Sequence, residues 1–86
     1  MQLILHKNFV KKYNKLRENE KQQFKQRRDI FLSQPFHSLL NNHPLRGKYK
    51  GCRSINITGD LRLIYKQIDA EVVYCIDIDT HSNLYS

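Results

Sequence analysis

The chain has 86 residues, 40% of them hydrophobic, which is enough for one small globular domain and too much for a disordered chain. No apolar run approaches the ~20 residues that a membrane span needs, and the opening MQLILHKNF lacks the small-residue cleavage site of a signal peptide, which points to a cytoplasmic address. A net charge of +7 on so short a chain calls for an anionic partner: a polyanion, an anionic surface or an acidic protein.

Leu3, Ile4 and Leu5 predict a short first strand. From Asn8 the period changes: Phe9, Val10, Tyr13 and Leu16 recur at helical spacing, with Lys7, Lys11, Lys12 and Lys15 between them. RENE interrupts this pattern, and Asn19 is placed to cap a second helix with Gln22 at its third position. That helix carries Phe24, Arg27, Ile30 and Phe31 and should stop before Pro35, because the residue preceding proline avoids the α region. Two basic helices in an antiparallel hairpin result.

Beyond the loop SQPFHSLLNN come PLRGKYK, CRSINI, LRLIYKQI and EVVYCIDID, rich in β-branched and aromatic residues and divided by KG, TGD and DA. They predict an antiparallel meander, and THSNLYS a closing helical turn. The order β-α-α-β-β-β-β is an α+β fold in which two helices cover one face of a twisted sheet and leave the other free. With no repeat, linker or low-complexity stretch, residues 1–86 read as a single domain.

Strand alternation sorts the side chains. Leu61, Leu63 and Tyr65 oppose Arg62, Ile64 and Lys66; Arg53, Ile55 and Ile57 oppose Cys52, Ser54 and Asn56. In the last strand Val73, Cys75, Asp77 and Asp79 oppose Val72, Tyr74, Ile76 and Ile78. The free face is thus the polar one, with His43, Asp60 and His81 at strand ends around it, an arrangement suited to phosphodiester chemistry. Cys52 and Cys75 have no CxxC partner and read as reduced, semi-buried thiols. The run Asp77, Asp79, His81 offers a rival reading, a Mg²⁺ or Mn²⁺ site of a metal-dependent nuclease.

HPLRGKYKGCRSINITGDLRLIYK followed by DIDTHSNLYS resembles the RelE/YafQ-type toxins of bacterial type II toxin–antitoxin systems. The resemblance spans roughly residues 43 to 85, and the first strand and helix hairpin fit the same fold in order and length. It implies a ribosome-dependent endoribonuclease that cuts messenger RNA in the A site without metal or other cofactor. It also implies an antitoxin that wraps the toxin, through which operator DNA is reached indirectly.

RNA cleavage by its own 2′-OH needs a base for that proton, an acid for the 5′-oxygen and cations for the phosphate. His43 matches the histidine of the family's HPL pattern and His81 its C-terminal histidine; either suits proton transfer near neutral pH, and which is acid and which base stays open. Asp60 matches an acidic residue of the YafQ branch, although TGD is also ordinary turn chemistry. Tyr85 matches a terminal aromatic that stacks on a base or steers the 2′-OH. Arg46, Lys48 and Arg53 are candidate phosphate contacts. Asn56 departs from the pattern: it stands where the family has a histidine or an arginine, and a neutral amide can bind a phosphate or ribose but transfers no proton. That departure keeps a second reading open, a protein that blocks the ribosome or binds RNA without cutting. His6 and His37 match nothing and read as surface or loop residues.

Overall fold

The structure is a computed structural model and describes residues 1–85. In chain order it contains β1 (Gln2–Leu5), α1 (Lys7–Asn14), α2 (Glu18–Ser33), a 3₁₀ turn (Ser38–Leu40), β2 (His43–Pro44), a second 3₁₀ turn (Gly47–Tyr49), β3 (Arg53–Asn56), β4 (Leu61–Gln67), β5 (Val72–Thr80) and α3 (His81–Tyr85). The predicted closing turn is thus present as α3, and Ser86 lies outside the described residues. The five strands form one sheet in the order β1-β5-β4-β3-β2, with β1 parallel to β5 and every other pairing antiparallel.

Local chemistry explains most of these boundaries. His6 caps α1, its Nδ1 accepting the Asn8 N–H at 3.0 Å, and His37 caps the first 3₁₀ turn in the same way from Leu39 at 3.1 Å. The two histidines expected as surface or loop residues therefore have a structural task, capping the starts of α1 and of this turn. The second helix starts at Glu18 rather than after Asn19. Its N-terminus is half a capping box: the Arg17 N–H donates to Glu20 Oε1 at 3.0 Å, while a guanidinium has no acceptor to return. The helix ends at Ser33, two residues before Pro35, as the proline requires. The stretch expected to be a strand over PLRGKYK is mostly not one. Gly47 and Gly51 adopt φ of +65° and +90°, which breaks the ladder and leaves only His43–Pro44 paired.

Phe9, Phe24 and Phe31 of the helices pack on Ile55, Leu63, Tyr65 and Val73 of the sheet, and Phe31 meets Tyr65 edge-on at 4.9 Å. The opposite face is not bare. Ile64 of β4 is buried there with Cys52 and Leu84, and Leu45, Tyr49 and Ile76 pack around them. The second 3₁₀ turn and α3 thus roof the middle of the face that sequence alternation leaves free.

One irregularity reorders β5. Ile64 pairs with Asp77 but Tyr65 pairs with Cys75, so Ile76 is an extra residue in a β-bulge. Strict alternation would place Asp77 and Asp79 beside Val73 and Cys75, under the helices. The bulge instead sends Ile78 into that core and brings both carboxylates to the opposite face. Two buried carboxylates would cost several kcal/mol each, so the bulge resolves a conflict written into the sequence.

Candidate functional site

Cross-strand pairing lays the open face out in two rows, because residues paired across a ladder share a face. The first row runs His43, Ser54, Ile64, Asp77 from β2 to β5; the second runs Asn56, Arg62, Asp79 from β3 to β5. Beyond the second row, Thr80 leads directly into α3.

At the β2 end, His43 Nδ1 lies 2.8 Å from the carbonyl oxygen of Asn41. A carbonyl only accepts, so in the neutral ring Nδ1 carries the hydrogen and the Nε2 lone pair is left for other work. Asn41 presents that carbonyl from a left-handed conformation, φ +47°. Ser54, paired with His43, has its Oγ buried without a partner among the described residues, and so has Asn56 its Oδ1, two residues further along β3. Arg46 and Lys48 are exposed on the second 3₁₀ turn, with the Lys48 ammonium 5.2 Å from the Tyr49 ring centroid.

Arg53 lies on the helix side of the sheet, away from His43. Its Nε donates to Asn42 Oδ1 at 2.8 Å and its guanidinium covers the Phe36 ring at 5.2 Å. Asn42 is itself pinned, donating from Nδ2 to Tyr65 Oη at 2.7 Å and to the Pro35 carbonyl at 2.8 Å.

At the β5 end the structure gathers Asp60, His81 and Tyr85. The His81 N–H donates to the Asp60 carbonyl at 2.9 Å, and the His81 and Tyr85 rings lie 4.8 Å apart. Tyr85 continues to Tyr49, edge-on at 6.3 Å. Arg62 donates to the carbonyls of Thr58 and Gly59 at 3.0 and 3.1 Å, and so holds the turn that carries Asp60. His43 and His81 belong to opposite ends. β2 and β5 are three strand spacings apart, about 14 Å.

Asp77 and Asp79, the carboxylates of the rival metal reading, have a cation already. Lys12 of α1 reaches Asp77 Oδ1 at 2.9 Å and Asp79 Oδ2 at 3.2 Å. Burial pushes Asp79 up, but hydrogen bonds from Asn83 and Thr80 together with Lys12 hold it below the usual carboxylate range. For Lys12 burial acts against the charge and is outweighed by the two carboxylates, so its pKa is raised. Tyr49, whose hydroxyl is 3.5 Å from Asp77 Oδ2, is raised by burial and by the Asp77 charge. Among the described residues no cluster of three or more His, Cys, Asp or Glu side chains is arranged to hold a metal ion. The sequence reading missed Lys12, Tyr49 and Asn42. Lys12 and Asn42 carry no local signature, because each acts on residues far along the chain.

The pattern of the family described as "Bacterial toxin of type II toxin-antitoxin system, YafQ" matches residues 1–86, the whole chain. The chain belongs to this family. Its YafQ-type fold is also that of solved structures. The crystal structure of YafQ from E. coli strain BL21(DE3) superposes with a TM-score of 0.82 at 19% identity, covering 99% of this chain and 98% of that one. A chain of the E. coli DinJ–YafQ complex gives 0.79 at 22% identity with 99% and 98% covered. A chain of the archaeal RelE–RelB complex from Pyrococcus horikoshii OT3 gives 0.72 at 23% identity with 92% of each covered. No curated protein matches the sequence. The α+β architecture expected from the sequence is therefore that of the RelE/YafQ toxins, and the chain is a toxin of a type II toxin–antitoxin system.

Proposed function

We propose that this YafQ-family toxin is an endoribonuclease that cleaves messenger RNA in the ribosomal A site, and that a cognate antitoxin silences it. The observation that carries this reading is His43: its Nδ1 is committed to a carbonyl, its Nε2 is unengaged, and it shares a sheet face with the elements that hold His81 and Tyr85. In the proposed reaction His43 Nε2 takes the 2′-OH proton and the 2′-oxygen attacks phosphorus. The bond to the 5′-oxygen breaks as that oxygen takes a proton from the His81 imidazolium through a bridging water, because the strands that position the two histidines are about 14 Å apart. The products are a 2′,3′-cyclic phosphate and a 5′-hydroxyl, so electrons and protons balance within RNA and the two rings. Arg46 and Lys48 hold phosphates, Tyr85 stacks on a base against His81, and Asp60 orients the His81 end of the site. Arg53 contributes from the far side of the sheet, by fixing the backbone next to His43. No step needs a metal, and Asp77 and Asp79 are bridged by Lys12.

The antitoxin is the partner that complexes such as DinJ–YafQ and RelE–RelB bring to mind for this chain, and the charge of +7 suits an acidic one as it suits RNA. Operator DNA would be met only through that antitoxin. The second reading, a ribosome blocker that does not cut, draws on Asn56, whose amide cannot replace a proton donor.

The test is to map the ends of a defined messenger RNA on translating ribosomes, beside free RNA. The expected result is A-site cuts with 2′,3′-cyclic phosphate ends, reduced about a hundredfold or more in His81→Ala. The metal test belongs to any cutting of free RNA, where chelation leaves the substrate intact. Arrested translation on uncut message would replace cleavage with blockade, and cutting of free RNA that stops with chelator would revive the metal reading.

A further inference from the structure

We propose that Lys12 is a positioning residue for the reaction: its ammonium ties Asp77 and Asp79 together and thereby sets the short helix that carries His81 and Tyr85. The inference rests on the nuclease reading above for its effect on rate, but its structural part stands alone.

Two routes lead from this one ammonium to α3. Through Asp79, Oδ2 receives Lys12 while Oδ1 receives the Thr80 N–H at 2.8 Å and Asn83 Nδ2 at 3.0 Å, so a single carboxylate joins α1 to the first turn of α3. Through Asp77, Oδ1 receives Lys12 and the Ile78 N–H at 2.9 Å, while Oδ2 faces the Tyr49 hydroxyl. Tyr49 then meets Tyr85 edge-on, and Tyr85 lies against His81. The helix spans only residues His81–Tyr85, and so short a segment has no stability of its own. What fixes it is Leu84 below and this polar network at its start.

The sheet's edge explains how a residue on the first helix arrives there. β1 pairs with β5 only as far as Leu5 opposite Cys75. The chain then turns into α1, with the His6 N–H on the Cys75 carbonyl at 2.9 Å, and α1 runs along the rest of β5. Lys12 thereby reaches carboxylates that the bulge has placed on the far face. A cation is required at this point. Two carboxylates on one face of a strand repel each other, and each would otherwise be driven toward its protonated form. The two carboxylates engage the ammonium and only part of the side chain is exposed, so Lys12 is set apart from the solvated lysines of α1 that are free for phosphate.

The experiment compares wild type, Lys12→Met, Lys12→Arg and Asp79→Asn in two arms. In the first, amide hydrogen exchange of the isolated protein should show protection lost at Leu84 and its neighbours in Lys12→Met while the amides of β3 and β4 keep theirs. In the second, single-codon cleavage on ribosomes should show kcat down about tenfold to a hundredfold with KM within about threefold, the mark of lost alignment rather than lost binding. Lys12→Arg should recover most of the rate, and Asp79→Asn should reproduce the loss with no positive charge removed. An unchanged α3 in both Lys12→Met and Asp79→Asn overturns the proposal. So does a raised KM at normal kcat, which makes Lys12 a phosphate contact, and so does loss of protection throughout the sheet, which makes it a general stabiliser. If the wild type cuts no RNA, the nuclease reading fails while the exchange arm still decides whether Lys12 sets α3.

Discussion

Ser54 is 1% exposed, its hydroxyl has no hydrogen-bond partner among the described residues, and Asn56 Oδ1 two residues on is in the same condition. An unsatisfied buried polar atom costs about 1–3 kcal/mol, and Ser54 is the residue paired with His43. Ser54→Ala should therefore raise stability by about 1 kcal/mol in urea unfolding, with the midpoint moved and the slope kept. A fall in stability would show that the hydroxyl is satisfied in solution. Cys75 gives a pH signature of another kind: burial pushes its thiol up to about 12. The thiol gains from staying neutral in the fold, so this contribution is complete below the unfolded thiol's value, near 9, and is lost as pH rises from there toward 12. Stability should fall by up to about 1.4 kcal/mol per pH unit in that window, and a Cys75→Ala variant should show a flatter profile. At this scale the sequence singles out His43 and His81 as candidates, because an imidazole carries its chemistry in its identity. It was silent on Lys12 and Asn42, since nothing local distinguishes a lysine on a basic helix from one that crosses a sheet edge.

The elements were legible to the extent that their periods are regular. Both helices on one face, the meander and the terminal helical turn follow from periodicity and turn residues. The bulge at Ile76 does not, because period-two reasoning has no place for an extra residue. Its trace in the sequence is indirect: Ile78 and Asp77 are each acceptable only if the alternation slips. The shortened β2 was hidden for a similar reason, since Gly47 and Gly51 interrupt a stretch whose composition is strand-like. The short helix α3 carries two of the candidate residues, and Leu84 is its buried apolar anchor among the described residues. Leu84→Ala removes that anchor from beside Ile64 and Cys52. We expect a loss of about 2–4 kcal/mol in thermal or urea unfolding, and cleavage that falls further than that of a variant equally destabilised in the Phe24 core. Equal losses would mean that α3 has no special part in the rate.

Over the whole molecule, two populations stand out among the 15 Lys and Arg side chains behind the net charge of +7. Lys12, Arg53 and Arg62 are engaged by carboxylates, an amide and carbonyls, and they hold the framework of the candidate site. Lys7, Lys11, Lys15, Lys25, Arg46, Lys48 and Lys50 are exposed and available to phosphates or to an acidic antitoxin. Binding to ribosomes should therefore weaken about tenfold or more between ~50 and ~200 mM monovalent salt, measured by co-sedimentation at fixed Mg²⁺. Affinity that ignores salt would assign recognition to shape or apolar contact instead.

The place of β5 in the sheet also orders events in time. It lies between β1 and β4, yet it is the last strand to be synthesised. A nascent chain that has grown only to Asp60 holds β1 with nothing to pair against, and His81 and Tyr85 are added later still. Long-range pairing of this kind is slow and late. The sheet closes only after β5 has been made, so a nascent chain short of residue 80 lacks both the closed sheet and the helix that carries His81 and Tyr85.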